Sequence, residues 1–547
     1  MENKTTTLND LITVFDELKK INPLLAINER EINGSTFNVF TNAPKTFREL
    51  YDTVTLLMGD FPFVNENGNQ LNFLEIIQKS KNLANYLSRK GITKNDSVGI
   101  CMQNCTEWII AYIGITAHGA KCVPFNSWWT KDELSYGIPH SEVKLVFTDN
   151  KRFEIIKDFK VDIVLNGKSF NETIEQHYDT WPEENASDED YAVLLYTSGS
   201  TGMPKGVMLS HLSLINALLG FVSYGEIFKK ITGDNLLEAE NASVIVNVPL
   251  FHVTGLVTQF LLSMLAKRNL FLIHKWDPLE ALKLIDKFKV TNISGVPTQS
   301  WELLNHPDVD NYDLSSLIDI GAGGAARPKG QVESLMQKFN TPLTFAWGMT
   351  ETCALGAIHR GDDYLKRPSS CGLPLPYITE LGVIDDNWNF LEPLETGEIV
   401  YKSPTNFIGY LKNTEETNKT LKNGWLRTGD LGYIDNDGYL FISDRKKALI
   451  IRGGENISTL EVENALDNIQ GVLESCVCGV NDERLGEIVG AMIYTTIDLS
   501  EDSIKDALRE QLARYKIPEI IKFTDTPLPR IASEKIDRVG IKKSLSS

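Results

Sequence analysis

The stretch Tyr196-Thr197-Ser198-Gly199-Ser200-Thr201-Gly202-Met203-Pro204-Lys205-Gly206 decides how this chain is read. It follows a short apolar run, VLLYT at 193–197, and precedes a helical pattern that starts after Ser210. Glycines let backbone amides approach a phosphate with no Cβ in the way. The hydroxyls of Thr197, Ser198, Ser200 and Thr201 add donors, and Lys205 adds a cation. Strand, glycine-rich loop and helix in that order suit a phosphate cradle better than a flexible surface loop. The loop is not a Walker A sequence. That pattern needs Gly-Lys-Ser/Thr, and here Pro204 precedes Lys205 and Gly206 follows it.

The alternation continues outward. VIVNVP (244–249), FLIHKW (271–276), NISGVP (292–297) and LIDIGAG (317–323) read as strands, and GLVTQFLLSMLAK (255–267) reads as a helix. Such βαβα order implies a largely parallel sheet covered by helices. Upstream, 8–20 and 72–90 space their apolar residues as amphipathic helices. The acidic segment 181–191 reads as a solvated connection. After about residue 390 the pattern changes to short strands punctuated by Gly and Asp turns: ETGEIVY, GYLFISD and KKALIIRGGE. Ser458-Thr459-Leu460-Glu461 reads as a capping box opening a helix. Strands near 472–480 and 487–495 and an amphipathic helix over 503–515 complete a small α+β unit. The expected division is a large domain over 1–443, a hinge at 444–447 and a small domain over 448–547.

Composition narrows the function classes. The chain has 547 residues, which suggests more than one core. A formal net charge of -19 speaks against nucleic acid as the main partner. Seven cysteines, an odd number with no CxxC pair and no zinc-ligand spacing, predict free thiols in a reducing compartment. No apolar signal core follows Met1, and the apolar stretch Gly255 to Ala266 falls short of the roughly 20 residues that cross a bilayer. The expectation is a cytoplasmic protein without a transmembrane segment. A second glycine run, GAGGAA at 321–326, fits the GxGxxA form, but no acidic residue lies about 20 positions on to take a ribose hydroxyl. A dinucleotide-binding dehydrogenase is therefore rejected.

The 196–206 loop resembles the phosphate-loop signature of the AMP-forming acyl-CoA synthetase, luciferase and peptide-synthetase adenylation superfamily. GAGGAA (321–326), WGMTET (347–352), WLRTGDLGYIDNDGYLFISDRKK (425–447) with RGGENIS (452–458), and PRIASEK (529–535) match in the expected order. Together they span about residues 70 to 540. The resemblance implies an α/β fold: a large N-terminal domain of helix-covered, mostly parallel sheets plus a β-rich subdomain, and a small mobile α+β C-terminal domain.

It also implies roles. Lys205 with Thr197, Ser198, Gly199, Ser200, Thr201 and Gly202 would hold the β- and γ-phosphates of ATP. Gly323, Gly324, Ala325 and Ala326 would line the adenine. Trp347 stands where relatives usually carry a stacking Tyr, followed by Gly348 and Met349. Thr350 would touch the α-phosphate. Glu351, with Thr197, would hold Mg²⁺, a hard cation suited to carboxylate and phosphate oxygens. Asp430 would accept hydrogen bonds from both ribose hydroxyls, with Arg445 beside it. Lys535 would stabilise charge at phosphorus during adenylation. Relatives put Gly before that lysine, where Glu534 stands here. Lys447 falls at the hinge position, and Gly453 and Gly454 would line a tunnel for the CoA arm. His252 would gate the acyl pocket and steady the carboxylate electrostatically; a satisfied histidine at a strand end is the plainer alternative.

Val253, Gly295 to Thr298, Gly321 and Thr352 to Gly356 are expected to wall the acid pocket, small or apolar and without charge. No Asp follows FHVT to hold an amino group, so an aliphatic or aryl acid is expected rather than an amino acid. FNSWWTKDELSYG (125–137) and SGVPTQSWELL (294–304) resemble fatty acyl-CoA synthetases, which favours a medium or long chain acid. The alternative is an acyl-AMP ligase or stand-alone adenylation enzyme loading a carrier protein on a separate chain. A luciferase-type oxygenase is a remote third reading and a non-enzymatic ATP-binding protein a fourth. Arg514 and Lys516 are basic residues on the small domain, with Glu519 against a CoA phosphate site there.

Overall fold

The computed structural model describes residues 6–546 except 184, 198–203, 234–240, 325, 326, 328, 447, 453, 454, 532 and 533. Among the described residues, two large sheets form the bulk. One has seven strands, in the order Gly409–Tyr410, Lys205–Ser210, Tyr191–Thr197, Lys121–Pro124, Ser97–Cys101, Val143–Thr148, Asp162–Leu165. From Tyr191–Thr197 onward its neighbours are parallel; the first three strands are antiparallel. The other has nine strands and a parallel centre that includes Asn292–Gly295, Asp319–Gly323 and Leu343–Trp347. Both sheets are helix-covered, as βαβ order requires.

A five-stranded antiparallel sheet follows. It contains Glu380–Ile384, Gly397–Lys402, Trp425–Ile434 and Leu440–Arg445. A last sheet, over 450–524, has its own apolar core of Ile450, Val462, Val477, Val489 and Leu508. The helix Thr459–Asp467 starts at Ser458, whose Oγ accepts from the Glu461 amide at 3.1 Å.

Three local expectations need correction. A strand not expected from the sequence, Lys205–Ser210, lies antiparallel to Tyr191–Thr197 and precedes the helix expected after Ser210. The helix His211–Thr232 begins after that strand, capped by Ser210. The same helix is long and apolar enough to cross a bilayer by length and composition, which the reading of apolar stretches missed; it is mostly buried in the protein. Finally, the acidic connection is anchored. Asp188 pairs with Arg30, Asp190 with Lys94 at 3.0 Å, and Trp181 Nε1 donates to Asp52 at 2.9 Å. All seven cysteines are buried free thiols.

Candidate active site

The carboxyl ends of the parallel strands open on a cleft of about 1960 Å³. That is where α/β sheets bind ligands, and the volume exceeds what one small molecule fills. Strand order brings together residues far apart in sequence: Thr197, Lys205, His252, Gly323, Trp347, Glu351, Asp430, Arg445 and Lys535 all line it.

Hairpin register sets Thr197 opposite Lys205. Lys205 Nζ pairs with Glu416, from the short helix Thr414–Thr420, and lies 5.0 Å above the Tyr410 ring. To hold a phosphate, Lys205 must exchange that carboxylate for the ligand. Ser198, Gly199, Ser200, Thr201 and Gly202 lie outside the described residues.

Glu351 follows the strand Leu343–Trp347 in a single helical turn, Thr350–Thr352. It is 7% exposed. Tyr410 Oη donates to its Oε1 at 2.8 Å. Burial raises its pKa against that hydrogen bond. Thr350 lines the cleft beside it. Among the described residues no group of three or more His, Cys, Asp or Glu gathers to cage a metal. A Mg²⁺ held by Glu351, with Thr197 across the cleft, would take its other ligands from phosphate oxygens and water, the usual mode for this ion.

Trp347 ends the same strand. Its indole Nε1 donates to Asp430 Oδ2 at 2.9 Å, and Arg445 Nε sits 3.2 Å from Asp430 Oδ1. Asp430 and Arg445 face each other across the antiparallel pair Trp425–Ile434 and Leu440–Arg445. One oxygen of Asp430 is therefore engaged by Trp347, a positioning role that the stacking expectation did not include. Gly348 and Met349 line the cleft next to it. Gly356 does not: a Cβ there would stand 2.2 Å from the Trp347 carbonyl, so glycine is required for the returning chain to pass. Thr352 is likewise buried away from the cleft, its hydroxyl bonded within the turn to Met349 O at 3.2 Å. Both support the turn and neither walls the acid pocket. Gly323 and Gly324 line the cleft, while Ala325 and Ala326 lie outside the described residues.

Lys535 reaches into the cleft from the small domain. A Cβ on Gly324 would meet its Cε at 2.9 Å and Nζ at 3.1 Å. Burial, then the Arg445 charge, lowers its pKa to about 8, against the pull of Asp430. A turn closed by the Ile531 amide bonding Lys535 O at 2.8 Å fixes its backbone. Glu534 has φ 62, the left-handed region that favours glycine. Glu534, where the family resemblance leads one to expect Gly, thus keeps a glycine-like conformation.

His252 needs a correction. Burial, with Lys535 nearby, pushes its pKa down to about 3, so the ring is neutral. Its Nδ1 accepts from the Thr254 amide at 3.2 Å, which leaves the proton on Nε2. It can donate one hydrogen bond to a carboxylate but supplies no charge.

On one side the cleft runs between the nine-stranded sheet and two helices. Phe221, Tyr224 and Phe228 line it from His211–Thr232; Thr254, Thr258 and Leu262 line it from a π-helical turn, Thr254–Leu261, and its continuation. Val253, Gly321 and Gly295 to Thr298, expected to wall an acid pocket, line this cleft too. The cleft wall is not apolar throughout. Arg268, Asp319 and Thr344 also line it; Arg360 pairs with Asp319 and donates to Thr344 Oγ1 at 2.7 Å. These residues come from the amino ends of strands and from a helix-to-strand turn, where no motif marks them. Arg327 and Gln331, which also line the cleft, were missed for the same reason.

Lys447, Gly453 and Gly454 lie outside the described residues. On the small domain Lys516 pairs with Glu461 at 2.6 Å and Glu519 with Arg452.

Comparison with known proteins extends this picture. A family model described as AMP-binding enzyme matches residues 52–411, and one described as AMP-binding enzyme C-terminal domain matches 461–535. The chain is 32% identical over 536 residues to a long-chain-fatty-acid–CoA ligase of Bacillus subtilis (strain 168), covering 90% of this chain and 93% of that protein. It is 31% identical over 488 residues to a 2-succinylbenzoate–CoA ligase of Bacillus licheniformis, covering 89% and 96%. Among solved structures, o-succinylbenzoate CoA synthetase of Bacillus subtilis in complex with its acyl-adenylate intermediate superposes with a TM-score of 0.79 at 28% identity, covering 92% and 98%. The same synthetase in complex with ATP and magnesium ion gives 0.78 at 28% identity, covering 92% and 100%.

Proposed function

Because the chain belongs to the AMP-binding enzyme family, we propose that it is an AMP-forming acid–thiol ligase that turns ATP and a carboxylic acid into an acyl-adenylate and then into an acyl-CoA. The observation that carries this reading is Lys535 Nζ held over Gly324 in one cleft with Trp347, Asp430, Glu351 and His252.

In the first half-reaction a carboxylate oxygen attacks the α-phosphorus, and pyrophosphate leaves. Negative charge builds where two anions meet, and a preorganised ammonium, Lys535, stabilises it. Asp430, oriented by Trp347, holds the ribose; Lys205 and Thr197 hold the outgoing phosphates; His252 donates to the carboxylate. Glu351 would hold Mg²⁺, which would supply positive charge against the phosphates. In the second half-reaction the thiol of CoA attacks the acyl carbon and AMP leaves. Residues 444–447 serve as the hinge between the large and small domains in this reading, and Gly453-Gly454 as the thiol tunnel.

The acid is of the fatty type. The aromatic and aliphatic middle of the pocket, Phe221, Tyr224 and Leu262, supports an aliphatic chain. The chain is medium or long; an apolar tail that reached Arg268 and Asp319, which also line the cleft, would strip water from an ion network. A carrier-protein pantetheine is the alternative acceptor.

The test is pyrophosphate release with ATP and Mg²⁺ across acids from acetate to palmitate, plus benzoate and cinnamate, each with and without CoA. Turnover that rises with CoA supports the ligase. A stoichiometric burst indifferent to CoA moves the acceptor to a carrier protein. Silence with every acid removes the reading.

A further inference from the structure

One bare point on the cleft wall is ringed by polar groups that the chemistry above leaves unused. Asp319, Gly321 and Gly323 share one face of the strand Asp319–Gly323, since strand residues alternate. Register sets Gly321 between Ser294 on one neighbouring strand and Thr344 on the other. Ser294, Asp319, Gly321 and Thr344 all line the cleft. A Cβ on Gly321 would stand 3.0 Å from Ser294 Cβ and 3.6 Å from Asp319 Oδ2. Glycine therefore leaves a notch there, flanked by a hydroxyl side chain and a carboxylate oxygen.

The flanking groups are held from behind. Thr344 Oγ1 donates to Asp319 Oδ1 at 2.6 Å, and Arg360 pairs with the same oxygen. Asp319 Oδ2, the oxygen beside the notch, has no hydrogen-bond partner among the described residues. Ser294 Oγ accepts from Gln259 Nε2 at 3.3 Å, which leaves its own hydrogen to give. The notch thus offers one donor and one acceptor. A plain hydrocarbon chain laid over it would bury both without partners, which is unfavourable.

The position of the notch sets where a matching group must lie on a substrate. A Cβ on Gly324 would meet Lys535 Nζ at 3.1 Å, which marks the end of the cleft where the carboxylate reacts. Gly324 lies three residues after Gly321, about 10 Å at strand spacing. With carbon–carbon bonds of about 1.5 Å in a zigzag, a chain of roughly eight carbons covers that distance.

We propose that the cleft selects a hydroxylated fatty acid whose hydroxyl lies about eight carbons from the carboxyl group, with Ser294 donating to the hydroxyl oxygen and Asp319 Oδ2 accepting from its O–H. A hydroxyl donates and accepts at one atom, which is what this pair requires. A second carboxylate would meet the charge of Asp319, and a methyl end would satisfy neither partner. The assignment deepens the reading of the chain as a fatty-acid-type ligase and rests on it.

The experiment compares octanoate, 8-hydroxyoctanoate, 2-hydroxyoctanoate and octanedioate in calorimetric binding to the full chain, with acid-dependent ATP–pyrophosphate exchange run in parallel. Wild type should bind 8-hydroxyoctanoate about 10-fold more tightly than octanoate or octanedioate, the scale of hydrogen bonds otherwise left unmade, and 2-hydroxyoctanoate should gain nothing over octanoate. Ser294→Ala removes the donor and Gly321→Ala fills the notch. Each should cut the preference for 8-hydroxyoctanoate over octanoate to about 3-fold or less, whereas a general packing defect would weaken both acids and leave their ratio alone. Equal wild-type binding of octanoate and 8-hydroxyoctanoate, a preference for octanedioate, binding of none of the four, or an unchanged ratio in folded Ser294→Ala overturns the assignment. If neither variant folds by circular dichroism, the wild-type comparison decides it. Exchange with octanoate but no preference for the hydroxyl strikes this assignment and keeps the ligase. Discrimination in binding without exchange for any acid upholds the assignment and strikes the ligase reading alone.

Discussion

Trp347 and Asp430 stand 83 residues apart in sequence and are joined by a 2.9 Å hydrogen bond from indole Nε1 to carboxylate Oδ2. The bond fixes one oxygen of the carboxylate proposed to hold the ribose, while Arg445 sits by the other. Trp347→Phe keeps the aromatic surface and removes the donor. It leaves a buried acceptor unpaired, which costs about 1–2 kcal/mol and should raise KM for ATP roughly 5- to 30-fold with a smaller change in kcat. Initial rates of pyrophosphate release against ATP concentration measure this; an unchanged KM would mean that Asp430 does not depend on the indole.

Lys535 carries a pH prediction. Its pKa lies near 8, below the ordinary lysine value, because burial disfavours the ammonium. The charged form is the useful one, so kcat/KM for adenylation should fall as pH rises through about 8, while bound phosphates should move the kcat profile to higher pH. Folding has the opposite sign. Between the folded value and the unfolded lysine value the unfolded chain binds more protons, so stability rises with pH there. Lys535→Met should therefore raise Tm at neutral pH, with a gain that shrinks by pH 10, and should slow adenylation by about 10²–10³. Full adenylation activity in that variant would remove Lys535 from the chemistry.

The pairing of Lys205 with Glu416 opposes phosphate binding if it must be broken first. Glu416→Gln should then lower KM for ATP by about 2- to 5-fold, the scale of a partly exposed ion pair. A raised KM would show instead that Glu416 aims the lysine.

Glu351 and Tyr410 predict how the Mg²⁺ requirement behaves. Burial raises the Glu351 pKa, so protons compete with the metal as pH falls, and the Mg²⁺ needed for half-maximal rate should increase with falling pH. Tyr410→Phe removes the donor that stabilises the carboxylate but keeps the ring under Lys205. It should steepen that pH dependence. Magnesium titrations at two pH values, on wild type and variant, test both statements.

Glu534 occupies a left-handed backbone conformation at φ 62. Glu534→Gly relieves that strain and Glu534→Ala keeps it. The glycine variant should be the more stable of the two by about 1 kcal/mol in denaturant unfolding. Equal stability would mean that the turn before Lys535 relaxes freely.

Much of this protein is legible in its sequence because local patterns carry it. Apolar alternation marked the strands of the parallel sheets, and ordered motifs marked Lys205, Glu351, Asp430 and Lys535. The hairpin at Lys205–Ser210 was not legible: KGVMLS is short, and the helix after it dominated the periodicity. The neutral state of His252 was hidden too, since its pKa depends on burial and on Lys535, 283 positions on in the chain by number.

The sequence by itself determined the fold class and singled out the residues proposed to face phosphate, ribose and metal, because those needs are met by glycine turns, hydroxyls and charges at fixed short spacings. Only the tertiary structure decided what each of those residues touches. Trp347 aims Asp430, Glu416 holds Lys205, and Arg268 with Asp319 puts charge on the cleft wall. Each such contact joins side chains from different strands or domains, and their energies come from burial and long-range proximity, which no local spacing encodes.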